Sequence, residues 1–285
     1  MIYWLSNWNA CYNFSDPYSI AASLEGFVKR KVIKQTVMTT VYGVTYYGAK
    51  LQIAKQLKDI DEFEPELVDD GAKYLATKTF ESLNEMFTSS QAIQAWFTKC
   101  ATMISDDFRK SVEWVTPLGL YVKQPYYKNT NAQYIQREVD SLKKKKSNIP
   151  ISYKALSKIY VKPNTMKQKN GFPPNFVHSL DSTHMMLTSL YLWSNGCTFA
   201  SVHDCYWTHA PDVDVMNEIC RQQFINLHKQ PILDDLSSHF LTVYLDKDLP
   251  IGDTVMNKAN MLFSDVPAKG KLDLDVVKDS IYFFS

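Results

Sequence analysis

Arg30, Lys34, Met38 and Tyr42 recur every four residues in the stretch RKVIKQTVMTTVYG, which ends at Gly43. A step of four residues advances a helix by about 400°, so the side chains drift only about 40° per step and climb one side. Two cations, a thioether and a phenol along one stripe could all touch a single elongated anion. Ile33, Val37, Val41 and Val44 form an apolar stripe beside it, the pattern of an ordinary core-facing helix. On residue types alone, a solvated surface helix therefore fits as well as a polyanion-binding one. Residues 29–55 nevertheless hold Lys29, Arg30, Lys31, Lys34, Lys50 and Lys55 with no acidic residue.

The second chemistry-bearing stretch is SVHDCYWTHA, residues 201–210, which places Asp204 at the tip of a hairpin pattern. A carboxylate that holds divalent ions, beside a cationic helix, is what phosphoryl transfer to a nucleotide needs. Aspartate is also common in turns because it tolerates them. His178 and His184 lie six residues apart on a predicted helix and so face different sides, which argues against a zinc pair. His178 is left as a donor to a sugar or phosphate. Lys143, Lys144, Lys145 and Lys146 read as a solvated loop tip, but Tyr126, Tyr127, Tyr134 and Tyr153 interleave with this basic stretch and could stack on bases.

The elements that must position these groups are mostly helical. A helix is predicted over 19–42, with helical pattern resuming over 44–60. Others run from Pro65 to about Phe87 and from about Gln91 to Ile104. Residues 112–127 predict two short strands around a Thr-Pro-Leu-Gly turn, and 128–170 a long polar loop or hairpin. A helix opened by Pro173 and closed by Gly196 precedes the Asp204 hairpin, and helices over 212–228 and 232–245 precede a looser tail. The expectation is one α+β domain dominated by helix.

The net charge of +1 over 285 residues conceals segregation, since 121–170 contains twelve Lys or Arg against only Glu138 and Asp140. Such a segment suits a phosphate backbone. Five cysteines without a C-x-x-C pair suit a reducing compartment and argue against a zinc module. No apolar run is long enough to span a membrane, and the N-terminal stretch has the character of neither a signal nor a transit peptide.

Taken in order, VKRKVIKQTVMTTVYG (28–43), WVTPLG (114–119), QKNGFPPNFVHSLDSTHM (168–185), SVHDCYWTHA and the closing YFFS resemble the single-subunit, phage-type DNA-directed RNA polymerases, in particular their animal mitochondrial branch. The resemblance covers residues 19–285, while 1–18 lack family character. It implies a right-hand fold represented by fingers and a partial palm, with a palm β-hairpin carrying the metal-binding Asp204. It implies template-directed ribonucleotidyl transfer with two Mg²⁺ ions, on a DNA template with an RNA transcript and ribonucleoside triphosphates, in the mitochondrial matrix and beside mitochondrial transcription factors. By the same resemblance Lys34 would meet the triphosphate and protonate the departing pyrophosphate, and Arg30 would share that charge. Tyr42 and Gly43 would sit by the ribose, with His178 supporting recognition of its hydroxyl. The lysine-rich segment after Pro125 corresponds to the family's specificity hairpin.

One departure bears on activity. The family's second metal-binding aspartate belongs to an Asp-Gly-Ser motif, which these 285 residues do not contain, and Asp16 in NFSDPYS does not match it. The chain alone is therefore expected to be inactive or nearly so. A non-catalytic nucleic-acid-binding fragment is the alternative. A DNA polymerase of the same superfamily is disfavoured by Met38, where those enzymes carry phenylalanine, and by Cys205, where they carry glutamate.

Overall fold

The computed structural model describes residues 20–40, 43–128, 163–203, 205–245 and 252–281. These divide into two compact units, 1–94 and 95–285.

In the first unit, α1 (Ile20–Ser23), α2 (Arg30–Thr40), α3 (Tyr46–Lys58) and α4 (Val68–Met86) follow one another, with a 3₁₀ turn at Pro65–Leu67 leading into α4. Leu24, Val32, Ala49, Ile53, Leu57, Phe63, Val68, Ala72, Leu75 and Ala76 make its core. The single helix expected over 19–42 is two helices. Gly26 takes φ +80° between them, and Phe27 turns edge-on to Phe63 with ring centroids 5.2 Å apart. Thr45 caps α3 by accepting from the Gly48 N–H at 3.1 Å. Asp69 and Asp70 occupy the first turn of α4, where acidic side chains favour the positive end of the helix.

The second unit begins within α5 (Thr88–Asp106) and continues through β1 (Glu113–Val115) and β2 (Tyr121–Lys123), an antiparallel pair in which Trp114 faces Val122. The predicted turn at 116–119 closes it, with the Gly119 N–H donating to the Thr116 carbonyl at 2.8 Å. Next come α6 (Thr165–Ser194), β3 (Ala200–Val202), β4 (Cys205–Trp207), α7 (Val213–Lys229), α8 (Ile232–Tyr244) and α9 (Asp253–Ser264). The α6 helix does not open at Pro173 as expected. It starts at Thr165, capped by Asn164, which accepts from the Lys167 N–H at 3.1 Å, and both Pro173 and Pro174 lie inside it. An interior proline removes a helix hydrogen bond, but Phe172 and Phe176 on either side are buried in the aromatic core and hold this turn by packing. The tail expected to be loose contains α9, tied down by Ala259, Phe263 and a 2.6 Å bond from the Ser237 hydroxyl to the Phe263 carbonyl.

Phe172 centres the core of this unit, its ring 5.1 Å from Phe97, 5.5 Å from Trp114, 5.8 Å from Phe176 and 5.9 Å from Phe240. Mostly helices with two small antiparallel hairpins, the described residues agree with the α+β expectation. No helix among them is long and apolar enough to cross a membrane.

Candidate functional site

The stripe on α2 faces out. Arg30, Lys34 and Met38 are exposed, whereas Val32 and Thr36 on the opposite side are buried. The buried line was expected to run through Ile33 and Val37, which are only half-buried. It is rotated toward Thr36 because α3 offers that hydroxyl an acceptor. Thr36 Oγ1 donates to Gln52 Oε1 at 3.3 Å, and Thr39 Oγ1 reaches the same oxygen at 3.1 Å. Tyr42 and Val41 lie outside the described residues.

Gly43 has φ +80°, its N–H donates to the Thr40 carbonyl at 3.0 Å, and the Val44 N–H donates to the Thr39 carbonyl at 3.0 Å. These paired bonds are a Schellman closure, which wants glycine at the left-handed position. A Cβ there would stand 2.8 Å from Gln94 Nε2. Gly43→Ala is expected to destabilise the chain by about 1–2 kcal/mol, read as a lowered urea midpoint.

No acidic residue occupies the first turn of α2, which carries Arg30 and Lys31 at its positive end. Among the described residues neither Arg30 nor Lys34 has a carboxylate partner, while Lys50 on α3 is held by Asp69 at 2.7 Å, which raises its pKa. Cations stacked on a helix N-terminus repel its partial positive charge, and an anion bound there relieves that repulsion.

In the second unit, His178 and His184 separate as their spacing required. His178 is exposed beside Asp181, 3.6 Å away. The His184 ring is buried, donating from Nε2 to the Cys220 carbonyl at 2.8 Å and meeting Phe224 edge-on. Burial pushes the His184 pKa below the usual histidine range, with the bond to Cys220 opposing, and burial acts the same way on His239. The unfolded chain therefore binds protons more readily in the window below about pH 6.5. Stability is full above that value and falls as the pH drops through it, so the urea midpoint at pH 5.5 should lie below that at pH 7.5.

His178 borders an open groove of about 340 Å³, with Trp114, Val122, Lys123, Gln124 and Pro125 on one wall and Asn175, His178, Ser179 and Ser182 on the other. Its Lys123 is engaged by Glu113 at 3.0 Å, and Tyr121 donates to the same carboxylate at 2.6 Å. Burial alone would raise the Glu113 pKa, but these two donors hold it below the usual range. The sequence reading missed the groove's frame. Gln124, Gln168 and Asn175 are three amides whose only signal in the sequence is polar residues flanking buried aromatics.

The β3–β4 hairpin pairs Val202 with Cys205, and both strands lie where the sequence placed them. His203 takes φ +54° there and is exposed. Asp204 lies outside the described residues, as do Lys143, Lys144, Lys145, Lys146 and residues 282–285. Among the described residues no three His, Cys, Asp or Glu side chains gather to hold a metal ion. Mg²⁺ prefers oxygen donors, and Asp204, the carboxylate assigned to it by the resemblance, is not among the described residues.

A family model for DNA-dependent RNA polymerase matches residues 12–254. The chain is 49% identical over 266 residues to the human "DNA-directed RNA polymerase, mitochondrial", covering 93% of this chain and 21% of that protein. It is 40% identical to the Arabidopsis thaliana "DNA-directed RNA polymerase 2, chloroplastic/mitochondrial", covering 93% of this chain and 24% of that one. With the Nicotiana tabacum "DNA-directed RNA polymerase 2A" it shares 40% identity over 90% of this chain and 70% of the relative. The chain thus spans between a fifth and a quarter of the length of the human and Arabidopsis relatives. The motifs of α2, α6 and the β3–β4 hairpin fall inside the matched region, and the chain belongs to the DNA-dependent RNA polymerase family.

Proposed function

We propose that this chain supplies the nucleotide-handling part of a mitochondrial DNA-directed RNA polymerase, and that residues 19–285 correspond to its fingers and part of its palm. The observation that carries this reading is the outward stripe of Arg30, Lys34 and Met38 on a helix whose positive end has no acidic residue to balance it. Arg30 would grip phosphate oxygens through its planar fork and Lys34 as a compact three-donor charge. Lys34 would also pass a proton to the departing pyrophosphate. Met38 would lie under the nucleoside, and Tyr42 and Gly43 by its ribose. His178 would read the sugar hydroxyl, while Lys143, Lys144, Lys145 and Lys146 would neutralise backbone phosphates of the DNA template or RNA transcript. Accessory transcription factors of the organelle are the expected protein partners.

Polymerases of this family generally use divalent metal ions, and the resemblance implies two Mg²⁺. The 285 residues offer Asp204 but no Asp-Gly-Ser motif to supply a second bridging carboxylate, and both ions need shared ligands. Binding without synthesis is therefore the expected behaviour of this polypeptide. Purified 1–285 should shift an RNA-primed DNA template in a gel, with affinity falling steeply in salt, and extend the primer at no more than background with Mg²⁺ and all four ribonucleotides. Robust Mg²⁺-dependent extension would overturn the expected inactivity. Absence of any salt-sensitive shift would overturn the assignment to nucleic acid.

A further inference from the structure

The groove beside His178 has a width set by an unusual arrangement. Gln124 and Gln168 bind each other reciprocally: Gln124 Nε2 donates to Gln168 Oε1 at 2.7 Å, and Gln168 Nε2 donates to the Gln124 carbonyl at 3.1 Å. Gln168 is wholly buried and also bonds the Val112 N–H and the Tyr126 carbonyl, so the amide has no unused capacity. Asn175, one helical turn before His178, donates to Gln124 Oε1 at 2.8 Å and to the Tyr126 hydroxyl at 3.2 Å. Gly171 lets the two walls meet, because a Cβ there would lie 2.8 Å from Tyr126 Cε2 and 3.2 Å from Gln124 Oε1. The walls are thus fixed to each other at one end by a satisfied polar network and a missing methyl group.

Beside Trp114, Val122 and Pro125, the polar groups of the lining are hydroxyl, amide and imidazole, and its one cation is already held by Glu113. That chemistry suits a sugar hydroxyl better than a phosphate, and a 2′-hydroxyl is what distinguishes RNA from DNA at a contact. We propose that Gly171, Gln124 and Gln168 are positioning residues that set this groove to accept the ribose of an RNA strand paired with DNA. The proposal rests on the polymerase reading above, and adds that the discrimination depends on wall spacing as well as on His178.

Gly171→Ala tests it, because alanine is favoured in a helix interior and the substitution removes no polar partner, while its methyl crowds Tyr126 and Gln124 and shifts the wall they form. Affinities of 1–285 for an RNA–DNA hybrid and for the same-sequence DNA duplex are measured by fluorescence anisotropy. Wild type should prefer the hybrid. Gly171→Ala should lower that preference by at least about fivefold with an unchanged urea midpoint. If Gly171→Ala leaves the ratio unchanged while His178→Ala lowers it, the positioning role is overturned and the reading of His178 stands. If wild type shows no preference for the hybrid, or neither substitution alters it, both fail.

Discussion

Lys34→Ala should weaken binding of a ribonucleoside triphosphate to this chain by about tenfold to a hundredfold, the loss of one or two hydrogen bonds between charged groups worth roughly 1.5–3 kcal/mol. The effect should not appear in stability. Lys34 is exposed and has no carboxylate partner among the described residues, so removing it takes away no packing contact or ion pair there. Arg30→Ala should act in the same direction, and Arg30→Lys should not rescue it fully because the planar fork is lost. Lys50→Ala is the control. Its ammonium is committed to Asp69, and its loss should leave triphosphate affinity unchanged. Equilibrium titration of a fluorescent ribonucleotide triphosphate analogue at low salt checks all of these.

Phe172→Ala should be among the most damaging single substitutions in the second unit, lowering the unfolding free energy by about 3–5 kcal/mol. The ring is fully buried and packs against Phe97, Trp114, Phe176 and Phe240, so its removal opens a cavity lined on every side by rigid aromatics that cannot close it. Trp114, which it supports, also forms the groove wall and donates from Nε1 to Ser179 Oγ at 3.0 Å. The substitution should therefore loosen the groove even where the chain remains folded. Urea unfolding followed by tryptophan fluorescence measures the loss, since Trp114 reports from the damaged site itself.

Where punctuation was local, the sequence announced the structure. Pro65 opens the turn into α4, Thr116-Pro117-Leu118-Gly119 closes the first hairpin, and the second brings Val202 opposite Cys205. Each of these depends on residues adjacent in the chain. The break between α1 and α2 was hidden because apolar residues keep helical spacing through Gly26, and only the packing of Phe27 on Phe63 shows why the chain turns there. The true start of α6 was hidden for the opposite reason. Pro173 and Pro174 look like an opening, but the surrounding aromatic core holds them inside the helix. The α9 helix buries Ala259 and Phe263 against α8, a contact set by another helix rather than by its neighbours in the chain.

The candidate site divides in the same way. The stripe from Arg30 to Met38 follows from a four-residue spacing along one helix, so it could be read directly. The direction in which that helix is buried depends on Gln52, sixteen residues beyond Thr36 and on another helix. Gln124 and Gln168 stand forty-four positions apart, and no local pattern relates them. Contacts between distant residues were illegible, and they are the ones that shape the groove.

If the exposed stripe of α2 grips a triphosphate, bound nucleotide should shield its lysine from competitive labelling of amines. The 285-residue chain is acylated briefly with and without ATP, and the modification rate at each lysine is read by mass spectrometry. ATP should slow labelling of Lys34 several-fold while Lys58 and Lys73, in the same unit, react at unchanged rates. Equal labelling of Lys34 in the presence and absence of ATP, or uniform slowing of all three, would contradict it.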